Sequence, residues 1–143
     1  MKVIYTYCSI ILNLFIVNVS AQVLLNNGED IIITAGCLMI ANNSSVLNTQ
    51  QGQIINKGFF QVDSNIVNNQ GKIINDSIID INYNLINNDS LISGSTQISK
   101  IYVFGNWTNN NYYQSGIGDV LLDGAMQTIN GSSESSFYNL TCV

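Results

Sequence analysis

The sequence predicts an all-β fold, and within that class a right-handed parallel β-solenoid with coils of about 19–22 residues. Two observations lead to this prediction. First, two consecutive 19-residue segments align without a gap, QGQIINKGFFQVDSNIVNN at 51–69 and QGKIINDSIIDINYNLINN at 70–88, with eight identical positions. Second, apolar residues recur at every second position within each segment, which is the pattern of a β-strand.

The alternation places short strands inside each copy. In the first copy Ile54, Phe60 and Val62 fall on one side of an extended chain, while Ile55 and Phe59 fall on the other. Isoleucine, valine and phenylalanine favour strands, whereas clusters of asparagine and glycine favour turns. Each copy is therefore predicted to hold two or three short strands joined by Asn-rich corners.

Two folds can use such a unit. In a parallel β-solenoid each copy is one coil, so that Ile54 stacks on Ile73 and Asn56 on Asn75 at about 4.8 Å, and stacked asparagines gain amide hydrogen bonds. In an antiparallel β-sandwich each copy is a hairpin. A hairpin array gives no reason for the period to hold at 19 residues with identical residues in register. We therefore favour the solenoid and keep the sandwich as the alternative.

Residues 1–21 have the pattern of a secretory signal peptide. Lys2 supplies the positive start, 3–19 is mostly apolar, and Val19-Ser20-Ala21 fits a cleavage site before Gln22. The apolar run is short for a membrane span, and two asparagines interrupt it. We therefore expect a protein that is secreted or held at the outer cell surface, with no membrane span after signal cleavage.

The predicted β-solenoid repeat domain spans 22–143. Outside the two copies, further strands are predicted at 31–33, 38–40, 46–49, 101–104, 119–122, 126–129 and 137–141. The period lengthens to 22 residues over 89–110, which indicates a widened corner. Because the last strand would present unpaired backbone, which proteins usually cover, we expect the domain to be incomplete at its C-terminal end.

The composition excludes several classes of function. The whole chain carries four lysines and arginines against nine acidic residues, and it has no histidine. Nucleic-acid binding requires clustered cations, so no nucleic-acid partner is expected. Without histidine, neither a Ser-His-Asp triad nor a histidine metal site is available.

Carboxylates are the remaining candidates for catalysis. A cluster for polysaccharide chemistry would have to come from four residues: Asp63, Asp76, Asp80 and Asp89. In the predicted stacking, Asp63 meets Asn82 and Asp80 meets Gln61, so no carboxylate stacks on another, and solvated charges are favoured over a catalytic pair. Asp123-Gly124 alone hints at a calcium loop. We therefore predict no catalytic, cofactor-binding or metal-binding residue.

Three aromatic residues raise the question of sugar binding. Trp107, Tyr112 and Tyr113 would suit a stacking platform, but packing of Trp107 at a coil corner is the favoured interpretation.

The two cysteines of the mature chain are not expected to pair. In a solenoid Cys37 and Cys142 lie four or five coils apart, roughly 20 Å, beyond the ~7 Å Cα limit for a bridge.

The outward face of the predicted coils also carries apolar residues. Ile55 would stack with Ile74, and Phe59 with Ile78, and an apolar stripe of this kind often marks a contact surface.

The later part of the chain resembles a known group. GNWTNN at 105–110 and GDVLLDGAMQTINGSSESSFYNLT at 118–141 resemble the N-terminal repeat region of large secreted surface proteins of Bacteroidetes. Their pattern is Gly-Asn/Asp-Trp-x-Asn-Asn, then Gly-x-Val-x-x-x-Gly, Gln-x-Ile-x-Gly and Phe-x-Asn-Leu. The resemblance covers most of 22–143. In the family such regions precede further repeats and often a C-terminal domain for type IX secretion, so the resemblance implies a truncated cargo-like protein. It implies no catalytic residue.

Together these observations predict a secreted or cell-surface structural or adhesive repeat segment with no catalytic activity of its own and no cofactor. The expected partners are cell-surface glycans or neighbouring surface proteins. The alternative is a carbohydrate-binding or polysaccharide-cleaving β-helix.

Overall fold

The computed structural model describes residues 3–6, 22–94 and 98–143, and the regular elements there are eighteen β-strands with no helix. The strands are β1 Val3–Thr6, β2 Gln22–Asn27, β3 Asp30–Ile33, β4 Leu38–Ala41, β5 Ser44–Thr49, β6 Gln53–Asn56, β7 Phe59–Val62, β8 Ile66–Asn68, β9 Lys72–Asn75, β10 Ile78–Ile81, β11 Leu85–Asn87, β12 Ser90–Ser93, β13 Lys100–Val103, β14 Trp107–Asn109, β15 Tyr112–Gln114, β16 Asp119–Leu122, β17 Ile129–Asn130 and β18 Asn139–Cys142.

The strands form three six-stranded sheets. Sheet A has the order β1-β3-β6-β9-β12-β15, sheet B the order β2-β5-β8-β11-β14-β17, and sheet C the order β4-β7-β10-β13-β16-β18. From β2 to β16 the chain visits sheets B, A and C in turn, which produces a β-solenoid of about six coils. The predicted solenoid is confirmed. The antiparallel sandwich is wrong, because Ile54 and Ile73 pair in register on neighbouring parallel strands.

The coil length varies around the predicted period. Paired residues are 19 apart for Ile66 with Leu85 and 22 apart for Leu85 with Trp107. Three steps of sheet A fall outside the predicted range. Val3 and Asp30 are 27 residues apart, Ile31 and Ile54 are 23 apart, and Ile73 and Leu91 are 18 apart. The sheet A strands β3, β6, β9 and β12 each have four residues, whereas β5 in sheet B has six and β8 has three, so the corners and the sheet B strands absorb the difference.

The interior is built from apolar columns that run along the solenoid axis. Most strands alternate half-buried and buried residues, because successive side chains of a strand point to opposite faces. One column stacks Phe60, Ile79, Ile101 and Val120, each at most 1% exposed. Full burial of such a side chain contributes about 1.5–3 kcal/mol, so every coil adds stability as it covers the one before.

The corner between sheets B and A holds a ladder of five buried asparagines. This amide ladder consists of Asn26, Asn48, Asn68, Asn87 and Asn109. Each Nδ2 donates to the Oδ1 of the next member, at 2.8, 2.8, 2.9 and 2.8 Å in chain order. The amides also donate to main-chain carbonyls, as Asn68 does to Ser90 O at 2.9 Å and Asn109 to Glu134 O at 2.7 Å. Buried amides are thereby satisfied at every coil.

A second, shorter ladder lies at the corner between sheets A and C. Asn56 Nδ2 donates to Asn75 Oδ1 at 2.8 Å, as the sequence predicts. Asn75 Nδ2 then donates to Ser99 Oγ at 3.3 Å, and Ser99 in turn donates to Asn75 O at 2.8 Å. A serine hydroxyl thus continues the ladder where the chain departs from the repeat.

The Gln-Gly pairs of the repeat are explained by the amide ladder. A Cβ at Gly71 would lie 2.4 Å from Asn48 Nδ2, and one at Gly52 would lie 2.7 Å from Asn26 Nδ2. Gln51 and Gln70 have φ values of 65° and 63°, which turn the chain sharply before each glycine. The glycines leave room for the asparagine side chains that pass beside them.

Two predicted strands have different bounds in the structure. The strand predicted at 126–129 is reduced to β17, Ile129–Asn130, because the Gln127 side chain takes the place of main-chain pairing. Its Nε2 donates to Val103 O and Gly105 O, both at 2.6 Å. The last predicted strand, 137–141, is found as β18, Asn139–Cys142, which pairs with β16.

The N-terminal region is described only in part. β1 pairs in parallel with β3 at the edge of sheet A. The remainder of the predicted signal peptide, 1–21, lies outside the described residues, and the signal peptide stays a prediction. Within the described ranges there is no helix with the length and apolarity to cross a membrane.

The amide ladder should be a major source of stability. Asn68→Ala removes one amide and leaves Asn48 Nδ2 and Asn87 Oδ1 without their ladder partner. Asn48 Nδ2 keeps its main-chain acceptors Gly52 O and Lys72 O, whereas Asn87 Oδ1 is left buried without a donor. Because such a group costs about 1–3 kcal/mol, we expect the free energy of unfolding to fall by about 2 kcal/mol. Urea denaturation followed by fluorescence of Trp107, the single tryptophan, measures the change.

The matched control is Asn88→Ala, which removes an exposed amide hydrogen bond between two coils, outside the amide ladder. Asn88 Oδ1 accepts from Asn110 Nδ2 at 2.7 Å in an exposed position. We expect a loss below about 1 kcal/mol, because water replaces the partner. Equal losses for the two variants would contradict the role assigned to the buried ladder.

Candidate functional site

Of the four carboxylates considered from the sequence, only Asp63 and Asp80 lie on the same side of the solenoid. Asp80 stands on the outward face of β10 in sheet C, and Asp63 follows β7 at the corner between sheets C and B. Asp76 follows β9 at the corner between sheets A and C, and Asp89 precedes β12 at the amide-ladder corner. They do not form the common cluster that a polysaccharide-cleaving site would need.

Asp63 is held by three hydrogen bonds. Its Oδ2 accepts from Asn43 N at 3.0 Å, and its Oδ1 accepts from Gln61 Nε2 at 3.0 Å and Asn82 Nδ2 at 3.3 Å. The predicted contact with Asn82 is confirmed, and Asp80 pairs in register with Gln61 as predicted. These amides satisfy Asp63 and fix its orientation.

The pKa of the Asp80 carboxyl lies above its ordinary value. Burial raises its pKa, and the charges of Asp123 and Asp63 raise it further. Asp123 follows β16, two strands along sheet C from β10. A raised pKa is a feature of general acids, and Asp80 carries it on an outward strand face. Within the described residues no group of three or more acidic or cysteine side chains is arranged to hold a metal ion.

The aromatic residues considered for sugar binding are divided between core and surface. Trp107 is 0% exposed and packs edge-on against Tyr113, with ring centroids 4.9 Å apart. Phe137 closes the cluster at 5.2 Å from the Trp107 ring, and Trp107 Nε1 donates to Ser135 Oγ at 3.0 Å. Tyr112 remains exposed. Trp107 therefore packs as predicted, although inside a core column rather than at a corner.

The Tyr113 hydroxyl is buried in this aromatic cluster. It has no hydrogen-bond partner among the residues that the structure describes, and burial raises its pKa.

A shallow notch of about 530 Å³ opens where sheets A and C meet in the first three coils. The side chains that line the corner notch are those of Cys37, Leu38, Lys57, Phe59, Gln61 and Ser77. The sequence analysis did not predict this notch. The feature that could have indicated it is the four-residue corner between Ile33 and Leu38, which is longer than the two-residue corner between Asn56 and Phe59 in the next coil.

Glycines shape the corner notch. A Cβ at Gly58 would lie 2.3 Å from Cys37 O, so only glycine lets the second coil approach the first this closely. Gly36 turns the longer corner with a φ of 77°, which glycine adopts readily, and a Cβ there would meet open space. The longer corner thus forms one side of the notch.

The predicted outward apolar stripe is confirmed and is longer than expected. In sheet A the outward column contains four isoleucines in register: Ile32, Ile55, Ile74 and Ile92. In sheet C, Leu38, Phe59 and Ile78 form a similar column. Further along each column the residues become polar, with Gln114 in sheet A and Lys100 in sheet C.

Cys37 and Cys142 are not joined by a disulfide, as predicted. Cys37 adjoins β4 and Cys142 lies in β18, at opposite ends of sheet C. Five strand spacings separate these ends, about 24 Å.

Comparisons of the chain with protein-family models, with curated proteins and with solved structures give no match.

The raised pKa of Asp80 predicts a pH-dependent effect. The folded state holds this proton more tightly than the unfolded state, for which the ordinary value is 3.8. The charged carboxylate therefore lowers stability above its folded-state pKa, and this loss disappears as the pH falls below the unfolded value. We expect Asp80→Asn to raise the thermal midpoint at pH 7 and to leave it unchanged at pH 3.

Asp30→Asn is the control, because it removes the same charge from sheet A. We expect the gain at pH 7 to be larger for Asp80→Asn than for the control. Thermal scans followed by Trp107 fluorescence test both variants, and a midpoint lowered by Asp80→Asn at pH 7 would show that the environment of Asp80 favours its charged form.

Proposed function

We propose that this chain is a secreted or cell-surface structural and adhesive segment without catalytic activity of its own. The observation that carries the proposal is the amide ladder, which connects five successive coils through buried hydrogen bonds of 2.8–2.9 Å. Polar side chains that would otherwise be available for chemistry are engaged in holding coil to coil. Such an arrangement suits a rod that presents its outer faces.

The outer faces support an adhesive role. Four isoleucines in register form a regular half-buried column along sheet A. Parallel strands place such side chains about 4.8 Å apart on a nearly flat surface. Regular apolar columns rimmed by polar residues suit contact with an extended partner, for which the proposed candidates are cell-surface glycans and neighbouring surface proteins.

The cellular location rests on the sequence. The pattern of residues 1–21 supports export with cleavage before Gln22, and the resemblance of 105–110 and 118–141 to Bacteroidetes surface repeats supports a location at the outer surface.

A carbohydrate-binding or carbohydrate-cleaving β-helix is the second candidate. The corner notch, with an aromatic ring beside a lysine and an amide, favours binding. The raised pKa of Asp80 is the observation that favours cleavage.

Export can be tested by expressing the whole chain with a C-terminal tag in a Bacteroidetes host. We expect the tagged protein in the medium or accessible to protease on intact cells, with a mature N-terminus at Gln22 by N-terminal sequencing. Leu14→Asp, which places a charge in the apolar run, should keep the protein uncleaved inside the cell. An uncleaved, intracellular wild-type protein would contradict the proposed location.

The absence of catalysis is tested on the exported protein with a panel of polysaccharides and reducing-end detection. We expect no turnover above background. Turnover that Asp80→Asn abolishes, while the Asp30→Asn control retains it, would replace the structural proposal with the carbohydrate-cleaving one.

A further inference from the structure

The corner notch is lined by two outward side chains of β7 and by a lysine of the corner that precedes it. Phe59 and Gln61 are alternate residues of β7, so they point to the same side of the strand about 6.6 Å apart, and Lys57 belongs to the two-residue corner before Phe59. The Phe59 ring therefore has an amide and an ammonium group among its neighbours in the notch lining. Lys57 is exposed, and Phe59 is half-buried.

The floor of the notch is apolar and regular. Phe59 pairs in register with Leu38 on β4 and Ile78 on β10. Leu38 is 57% exposed, a large apolar surface next to the ring. The C–H face of a pyranose ring stacks on surfaces of this kind, because it is apolar while its hydroxyls project sideways.

The rim supplies both a donor and an acceptor. The Lys57 ammonium offers donors only, whereas Gln61 Nε2 is already committed to Asp63 Oδ1 at 3.0 Å. Asp63 is itself anchored by Asn43 N at 3.0 Å, so the Gln61 amide is held in place with its Oε1 left to accept. Ser77 adds a hydroxyl from the next coil. Sugar hydroxyls donate and accept, which matches this set.

Lys57 is the charged residue of the notch lining, and two carboxylates outside the lining place negative charge on the same side of the solenoid. Lys57 contributes one positive charge, while Asp63 and Asp80 lie on the same side of the solenoid. The upward pKa shift of Asp80 arises partly from Asp123 and Asp63, which indicates that further negative charge is unfavourable there. The ligand that fits best carries hydroxyls and no carboxylate.

We propose that the corner notch binds a neutral oligosaccharide, with one pyranose ring stacked on Phe59 and its hydroxyls bonded to Lys57 and Gln61. The notch volume of about 530 Å³ falls within the 300–1,000 Å³ typical of small-molecule sites. The inference rests on the proposed adhesive function and names its ligand class. No covalent step is involved.

The test uses the exported protein recovered from the host and isothermal titration calorimetry. The probes are cellotetraose, xylotetraose and mannotetraose as neutral ligands and trigalacturonic acid as the anionic one. We expect at least one neutral tetrasaccharide to bind. Phe59→Leu, which keeps an apolar side chain but removes the ring, should weaken that binding about tenfold. Lys57→Met should weaken it severalfold.

Matched controls carry the same changes outside the notch. Tyr83→Leu removes an exposed ring from the corner between sheets C and B, and Lys72→Met removes an outward lysine from sheet A. Both should bind as the wild type does. If Phe59→Leu lowers stability, as judged by Trp107 fluorescence, the exposed Lys57 variant still decides the question.

Three results would overturn the site: no binding of any neutral probe, binding unchanged in both notch variants, or tighter binding of trigalacturonic acid. Failure here is distinguishable from failure of the proposed function. If the protein is cleaved before Gln22 and exposed on cells but binds none of the sugars, the sugar site is refuted and the proposed structural role stands.

Discussion

The amide ladder between sheets B and A is the interaction on which the rest of the structure depends. Parallel sheets have even hydrogen-bond spacing, so pairing alone does not stop one coil from sliding against the next. A slip of one residue would move each ladder asparagine to the outside and break its buried bonds. The ladder runs unbroken from Asn26 to Asn109. It thereby fixes the register of five coils and, with it, the apolar columns.

The ladder and the columns hold the strands in register, and the coils differ in their corners, in the lengths of the sheet B strands and at outward positions. The second and third coils turn from sheet A to sheet C in two residues, at Lys57-Gly58 and Asp76-Ser77. The first coil uses four residues, and this difference opens the corner notch. Loops on a rigid scaffold are where proteins place binding groups, and here the scaffold is the stacked array itself.

The sequence predicted a good part of the fold because identical residues recur at one spacing. The pairs Ile54–Ile73, Asn56–Asn75 and Asp63–Asn82 follow from that spacing and are confirmed. Prediction failed where a side chain replaced main-chain pairing, as Gln127 does in the segment at 126–129. The predicted corner position of Trp107 was also wrong. Trp107 pairs with Leu85 in a core column, and an aromatic residue in a column of Ile and Leu breaks the repeat pattern.

The sequence by itself determined the fold class, the direction of the strands and which residues stack, because a repeat whose apolar positions recur in step can bury them only by stacking like on like. Tertiary structure alone decided what surrounds those residues. In the sequence, Gly71 indicates only a turn. The structure shows that a Cβ at Gly71 would lie 2.4 Å from Asn48 Nδ2. In the sequence, Phe59 is one residue of an apolar stripe. The structure shows that Gly58 and the longer corner of the first coil form a notch beside it. Such features depend on distances between coils, which a linear pattern does not contain.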